Sequence, residues 1–201
     1  MDLGILGGTF DPVHLGHLAI AEEARKRLSL SKVIFVPAGQ PWLKTDRGIS
    51  PASHRIKMIG LAIGDKPYFE LSTIETDYPG PSYTVDTLVA LKRNLEADVN
   101  LFLILGWDSL MELPKWHNPA VLVKMCTLVA FTRMDTKRPD LAALEALVPG
   151  IKRSTKMLDI KPVGISATDI REKAARGLSL SGLVPDRVAR YIKEQKLYRS
   201  V

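Results

Sequence analysis

The chain has only one cysteine among its 201 residues, Cys126, which excludes a framework of intramolecular disulfides and favours a reducing compartment. It contains no apolar run near the length of about 18 residues that a membrane-spanning helix needs. Its first residues lack the basic patch and long apolar stretch that mark a secretion signal. We therefore expect a soluble, cytoplasmic protein.

Two common nucleotide-binding signatures are also missing, Gly-x-x-x-x-Gly-Lys-Ser/Thr and Gly-x-Gly-x-x-Gly. Their absence argues against a P-loop enzyme and a standard dinucleotide dehydrogenase. The net charge of +6, from 28 Lys and Arg against 22 Asp and Glu, suggests anionic partners. The basic residues are scattered and do not alternate with aromatic ones, so we expect neither a nucleic acid nor a membrane as partner.

Short apolar runs alternate with stretches of helical periodicity along most of the chain. Strands are predicted at residues 3–6, 32–36, 69–71, 101–105, 128–132 and 157–160. Helices are predicted at residues 15–28, 83–95, 166–176 and 186–196, together with a helix that Ser50 caps and Pro51 opens. This alternation predicts a single α/β domain over residues 1–201, with a Rossmann-like, doubly wound parallel sheet. A C-terminal helical addition would begin at about residue 162.

The most informative segment is Gly7–His17, with the sequence GGTFDPVHLGH, between the first predicted strand and the first predicted helix. In α/β sheets this is a place where ligands bind. Gly7 and Gly8 allow a ligand to approach the backbone closely. A helix that begins near His14 presents free N–H groups and the positive end of its dipole to an anion. The segment therefore predicts a phosphate-binding site.

His14 and His17 are three residues apart, so they lie on one side of the first turn of a helix. Two imidazoles there suit the stabilisation of charge as phosphorus passes through its transition state. Gly16 between them leaves room for a flat group such as a purine. One alternative is that one histidine caps the helix and the other packs in the core. Zinc binding is a weaker alternative, because further ligands at a recognisable spacing are missing.

A second segment, Ile165–Arg171, reads ISATDIR. Ser166 with Asp169 three residues later is the pattern of a capping box at the start of a helix. The same helix end also offers the hydroxyls of Ser166 and Thr168 and the guanidinium of Arg171 to a polyphosphate. The two interpretations are compatible.

Together these two segments resemble the nucleotidyltransferase superfamily and, more narrowly, the bacterial nicotinate-nucleotide adenylyltransferases. The narrower resemblance depends on Ser82-Tyr83-Thr84 and Pro114-Lys115-Trp116, with Gly106-Trp107-Asp108 between them. It implies transfer of AMP from ATP to nicotinate mononucleotide, which gives deamido-NAD and pyrophosphate in NAD biosynthesis, without a covalent enzyme intermediate. It also implies Mg²⁺ carried by the oxygens of ATP rather than by a metal site of the protein.

The resemblance assigns a role to each matching residue. The catalytic residues would be His14, His17 and Arg171. The ATP-binding residues would be Gly7, Gly8, Thr9, Phe10, His14, His17, Gly106, Asp108, Ser166, Thr168 and Arg171. The mononucleotide-binding residues would be Lys44, Thr84, Trp116 and Arg133. Asp108 would accept a hydrogen bond from a ribose hydroxyl, with the N-cap of the following helix as the alternative.

One position departs from the family. Where the family often has Pro-Pro-His-Lys, this chain has Pro41-Trp42-Leu43-Lys44, so the lysine is kept and the histidine is replaced by Leu43. Lys44 alone would then supply the charge for the mononucleotide phosphate. The alternative is a solvated loop lysine.

Three other functions stay open at this point. Pantetheine-phosphate adenylyltransferases share the first segment but lack the Ser-Tyr-Thr and Pro-Lys-Trp elements. A preference for nicotinamide mononucleotide would depend on a single carboxylate or amide contact. A nucleotide-binding sensor without turnover is the third alternative, because motifs alone do not prove activity.

Overall fold

The computed structural model describes residues 1–40, 48–96, 98–132, 137–159 and 164–199. Within these ranges the strands are β1 (Asp2–Gly8), β2 (Lys32–Pro37), β3 (Phe69–Leu71), β4 (Asn100–Gly106), β5 (Thr127–Phe131) and β6 (Thr155–Leu158). They form one sheet in the order β3-β2-β1-β4-β5-β6, and every neighbouring pair is parallel. The predicted α/β class with a doubly wound parallel sheet is therefore confirmed.

The helices of the described ranges connect these strands and follow the last of them. They are α1 (Leu15–Arg27), α2 (Ala52–Ile63), α3 (Thr84–Arg93), α4 (Trp107–Glu112), α5 (Pro119–Met125), α6 (Leu141–Leu147), α7 (Ile151–Ser154), α8 (Ala167–Ala175) and α9 (Asp186–Glu194), with a 3₁₀ turn at Leu113–Lys115. None of these helices is long and apolar enough to cross a lipid bilayer.

After a polar first residue, the central strands are apolar, because helices cover both faces of the sheet. Successive side chains of a strand point to opposite faces. In β4, Phe102 and Ile104 accordingly belong to one buried cluster, whereas Leu103 and Leu105 belong to the other. The sheet thus separates two hydrophobic cores, and the ends of its strands form the edge where a ligand can bind.

The last two helices pack on the first of these cores. Ile170 of α8 and Val188 of α9 are fully buried in the same cluster as Met58 of α2 and Phe10, which follows β1. The C-terminal helices therefore lie against the segment that the sequence analysis singles out after the first strand.

The start of α2 differs from the prediction. Pro51 does not open the helix but precedes it, with an extended ψ of 143°, so that the first helical residue is Ala52. Ser50 does not cap it: its amide donates to Oδ2 of Asp11 at 3.2 Å, and its carbonyl accepts from Nε of Arg55 at 3.0 Å. These hydrogen bonds hold the backbone of Ser50, and Pro51 stands at the N-cap position.

No apolar periodicity marks α5, α6 and α7 in the sequence. These helices have seven, seven and four residues, which is too few turns for a periodic apolar pattern to stand out. The other predicted strands and helices are confirmed, with their ends displaced by at most two residues.

Candidate active site

The carboxyl ends of β1 and β4 form the point at which the order of the strands reverses. β1 lies beside both β2 and β4, so the chain leaves β1 toward one side of the sheet and enters β4 on the other. Such reversal points are where open α/β sheets bind ligands. Gly7 is exposed at the end of β1, and no atom outside its neighbours lies within 4 Å of where a Cβ would stand. A ligand can therefore approach the backbone here, as the sequence predicts for Gly7.

The turn after β1 has an unusual backbone at Phe10, whose φ is +51°. This left-handed conformation is uncommon for a residue with a side chain and has to be held by its surroundings. The Phe10 ring is buried, with its centroid 5.8 Å from that of Phe35 and 4.9 Å from that of His17. Hydrogen bonds hold the carbonyls of the residues before and after it: Nη1 of Arg55 donates to the Thr9 carbonyl at 3.0 Å, and Nη1 of Arg171 donates to the Asp11 carbonyl at 2.8 Å.

The two histidines of the first segment lie together, as predicted. His14 is the N-cap of α1 and is 6 % exposed, and its ring stacks on that of His17 with centroids 3.6 Å apart. The backbone N–H of His14 donates to Nδ1 of His17 at 3.2 Å. Because Nδ1 accepts this bond, the proton of the neutral His17 ring is on Nε2. Nε2 is thus the donor that this ring can present to a phosphate oxygen.

The structure gives a reason for a glycine at position 16 that differs from the one predicted. A Cβ at this position would stand 3.0 Å from Nδ1 and 3.1 Å from Cε1 of His14. The space above Gly16, expected for a flat ligand group, is therefore filled by the His14 ring. The glycine permits the histidine pair to stack.

The backbone at the start of α1 also differs from the prediction. The Leu15 amide donates to the Leu183 carbonyl at 2.9 Å, and the amides of His17 and Leu18 donate to the carbonyl of His14 at 3.0 and 3.3 Å. These three N–H groups are hydrogen-bonded within the protein rather than free for an anion. The helix dipole and the side chains around it can still attract a phosphate.

The second segment caps α8 and reaches the first one. Oγ of Ser166 accepts from the Asp169 amide at 3.1 Å, which confirms Ser166 as the helix cap. Nη2 of Arg171 donates to Oγ1 of Thr168 at 3.2 Å, while its Nη1 reaches the Asp11 carbonyl. Residues that are 160 positions apart in the chain thus meet at the turn after β1.

Arg55 is a site residue that the sequence analysis misses. It is 2 % exposed, and burial lowers the pKa of its guanidinium, an effect opposed by the charge of Asp11. Its hydrogen bonds to Ser50 and Thr9 satisfy part of the buried group. The signal in the sequence is its position, because Arg55 shares the buried face of α2 with Met58 and Ile59 at helical spacing.

The predicted acceptor residues lie at the start of α3 and just after the 3₁₀ turn. Thr84 is the first residue of α3 and Trp116, half-buried, follows Leu113–Lys115. Their neighbours Tyr83 and His117 stack with ring centroids 4.4 Å apart. The fold therefore brings the Ser-Tyr-Thr and Pro-Lys-Trp elements together.

A partly buried carboxylate supports the same region. Oγ1 of Thr87 donates to Oε1 of Glu75 at 2.6 Å, and burial raises the pKa of Glu75. Oγ of Ser82 accepts from the amides of Gly39 and Gln40 at 3.0 and 3.2 Å. Ser82 thus ties the segment after β2 to the start of α3.

Asp108 is the second residue of α4, and the N-cap of that helix is Gly106. The alternative of Asp108 as an N-cap is therefore wrong. Gly106, at the end of β4, and Asp108 stand at the reversal point of the sheet, beside the strand that carries Gly7 and Gly8. This placement suits their predicted contact with ATP but does not test it.

The comparisons with known proteins agree with this geometry. A family model described as cytidylyltransferase-like matches residues 5–173. A probable nicotinate-nucleotide adenylyltransferase of Dehalococcoides mccartyi is 48 % identical over 195 residues, which cover 97 % of this chain and 96 % of the relative. A relative of the same name from Roseiflexus sp. is 43 % identical over 198 residues, 98 % of either chain. The chain belongs to the nicotinate-nucleotide adenylyltransferase family.

Solved structures show the same fold. The nicotinic acid mononucleotide adenylyltransferase of Plasmodium falciparum complexed with NaAD aligns with a TM-score of 0.78, at 18 % identity, over 98 % of this chain and 97 % of that chain. The complex of that protein with APC gives a TM-score of 0.77. At this identity the likeness concerns the fold alone.

Two residues that the family resemblance assigns to the mononucleotide, Lys44 and Arg133, lie outside the described residues. Within the described ranges, no three or more His, Cys, Asp or Glu side chains are grouped so as to hold a metal ion. The zinc alternative for the histidine pair thus finds no further ligand among these residues.

Proposed function

We propose that this protein transfers AMP from ATP to nicotinate mononucleotide and forms deamido-NAD and pyrophosphate in NAD biosynthesis. The observation that carries the proposal is the turn after β1, where the stacked His14 and His17 and the side chain of Arg171 meet at the reversal point of the sheet. Relatives that are 43 to 48 % identical over nearly their whole length carry the name of this activity, which supports it.

In the proposed reaction, an oxygen of the mononucleotide phosphate attacks the α-phosphorus of ATP and expels pyrophosphate on the opposite side. Such a reaction requires mainly alignment of the substrates and stabilisation of the charge on phosphorus. Thr9, His14 and His17 would hold the α-phosphate, with Nε2–H of His17 as a donor to one of its oxygens. Mg²⁺ arriving with ATP would reduce the negative charge of the phosphates.

Arg171 would stabilise the departing pyrophosphate, together with the hydroxyls of Ser166 and Thr168. Its guanidinium has five N–H donors, and the two hydrogen bonds to Asp11 and Thr168 fix its plane without using all of them. A planar donor that is already fixed loses little entropy when it binds an oxyanion.

The remaining predicted residues divide between the two substrates. Gly7, Gly8, Phe10, Gly106 and Asp108 would complete the ATP site around the ends of β1 and β4. Thr84 and Trp116 would bind the nicotinate ring, by stacking on the indole and hydrogen bonding to its carboxylate. Lys44 and Arg133 would contribute positive charge to the mononucleotide.

The test is pyrophosphate release with ATP and Mg²⁺ in the presence of nicotinate mononucleotide, nicotinamide mononucleotide or phosphopantetheine. We expect release with the nicotinate compound to exceed the other two by at least about tenfold in kcat/KM. A preference for phosphopantetheine or for the nicotinamide compound would overturn the assigned acceptor. Binding of ATP without release with any acceptor would favour a sensor. The cytoplasmic location stays a prediction, which fractionation of the native cells can check.

A further inference from the structure

The C-terminal part of the chain reaches the phosphate-binding turn at three separate points. The Leu183 carbonyl accepts from the first amide of α1, that of Leu15, at 2.9 Å. Arg171 donates to the Asp11 carbonyl at 2.8 Å, and the Tyr198 hydroxyl donates to Oδ1 of Asp11 at 2.7 Å. Two of the three contacts thus converge on one residue of the turn.

Asp11 is the residue through which these contacts act. It is 5 % exposed, and each of its carboxylate oxygens accepts a hydrogen bond, Oδ1 from Tyr198 and Oδ2 from the Ser50 amide. Burial and the neighbouring carboxylate of Asp11 raise the pKa of Tyr198, so its hydroxyl keeps its proton and remains a donor. A buried carboxylate with fixed donors on both oxygens has one orientation.

The orientation of Asp11 affects the backbone conformation of Phe10, the residue before it. Phe10 adopts its left-handed φ of +51° between the two peptides that Arg55 and Arg171 hold. Such a conformation persists only where several contacts determine it. Losing the fixed position of Asp11 would free the carbonyl that orients Arg171 and the backbone that leads to His14.

We propose that Tyr198 is a positioning residue for adenylyl transfer: its hydroxyl fixes Asp11, and Asp11 fixes the turn and Arg171. The proposal rests on the proposed function for its kinetic consequence, but its structural consequence is independent of that function. Tyr198 itself touches neither the reacting atoms nor the phosphates in this scheme.

The experiment compares Tyr198→Phe with Tyr191→Phe. Both changes delete one half-buried tyrosine hydroxyl of the C-terminal region, but that of Tyr191 bonds Nδ1 of His54 at 2.8 Å rather than a residue of the turn. For Tyr198→Phe we expect kcat to fall by about 10- to 100-fold, the loss typical of small misplacements in an active site, with KM for ATP changed less than about threefold. For Tyr191→Phe we expect kcat within about twofold of the unmodified protein.

Deuterium exchange gives a readout that does not depend on turnover. We expect faster uptake in peptides covering residues 7–18 for Tyr198→Phe, and unchanged uptake there for Tyr191→Phe. Unchanged uptake in Tyr198→Phe, or a kcat equal to that of Tyr191→Phe, would overturn the proposal. If the unmodified protein releases no pyrophosphate at all, the proposed function fails, while the exchange result still decides whether Tyr198 holds the turn.

Discussion

His17 combines two tasks in one imidazole. Its Nδ1 accepts from the His14 backbone and so stabilises the start of α1, which leaves Nε2 to carry the proton of a neutral ring. The ring is held between that of Phe10, edge-on, and that of His14, stacked. The capping alternative and the phosphate-binding alternative for the histidines are thus compatible in the same residue. A donor held this rigidly is suited to a transition state because it needs no reorganisation when charge develops.

We predict that His17→Ala lowers kcat by about 10²- to 10⁴-fold, the range typical of a lost proton donor in an active site, with KM for ATP mostly kept. His54→Ala is the matched control, since that histidine bonds Tyr191 of α9. Steady-state pyrophosphate release measures both variants. A turnover of His17→Ala close to that of His54→Ala would remove His17 from the catalytic residues.

Glu75 provides a prediction about pH. Because burial raises the pKa of Glu75, the folded protein binds this proton more tightly than the unfolded chain does. Its contribution to the free energy of unfolding is therefore lost as the pH rises, from about pH 4 through the raised pKa of the folded state. We expect Glu75→Gln to remove this part of the pH dependence, in urea unfolding between pH 4 and 8.

The exposed Glu112, at the end of α4, provides the control for this experiment as Glu112→Gln. Subtracting the pH dependence of one variant's free energy of unfolding from that of the other removes the effect of every carboxylate that both variants retain. The same pH slope in both variants would show that burial of Glu75 does not affect its proton.

At the scale of elements, two glycines in two helices are expected to respond differently to substitution by alanine. Gly16 lies in the first turn of α1, where a Cβ would press on the His14 ring at 3.0 Å. Gly60 is exposed in α2, with open space for 4 Å around the point where a Cβ would stand. Helix propensity favours alanine at both positions by about 1 kcal/mol. The difference between the two alanine variants in stability and turnover therefore measures how far the position of the His14 ring depends on a glycine at position 16.

We predict that Gly60→Ala raises the free energy of unfolding by about 0.5–1 kcal/mol and leaves kcat unchanged. Gly16→Ala is expected to gain little or no stability and to lose about tenfold or more in kcat, because the displaced His14 ring disturbs the stacked pair. Urea unfolding and pyrophosphate release measure the two effects. Equal turnover in the two variants would contradict the assigned role of Gly16.

At the scale of the whole molecule, the sequence predicts the sheet well and marks the segment after β1 as the candidate site. Apolar runs such as that of β4 need no tertiary information, and the glycine-rich turn before His14 marks the end of β1. The contacts that hold the candidate site in place cannot be predicted from the sequence in the same way. Arg55, Asp11 and Tyr198 meet across as many as 187 positions of the chain, and no local pattern indicates which residues will do so.

The same reason explains the corrections at the helix ends. The amide of Leu15 has the local chemistry of an anion site, and Ser50 is a residue type that caps helices. In the fold, the Leu183 carbonyl binds the Leu15 amide, while Asp11 and Arg55 hold the backbone of Ser50 one position before the N-cap. Local rules predict which groups need partners, whereas the fold decides which partners they find.

The central claim is that AMP passes directly from ATP to the mononucleotide, with His14 and His17 stabilising charge rather than attacking phosphorus. The stereochemistry at the α-phosphorus tests it most directly, with ATP made chiral there by one sulfur atom. A single in-line displacement inverts this centre, and we predict inversion in the dinucleotide product. Retention would mean two displacements through a covalent adenylyl-enzyme, and would contradict the account.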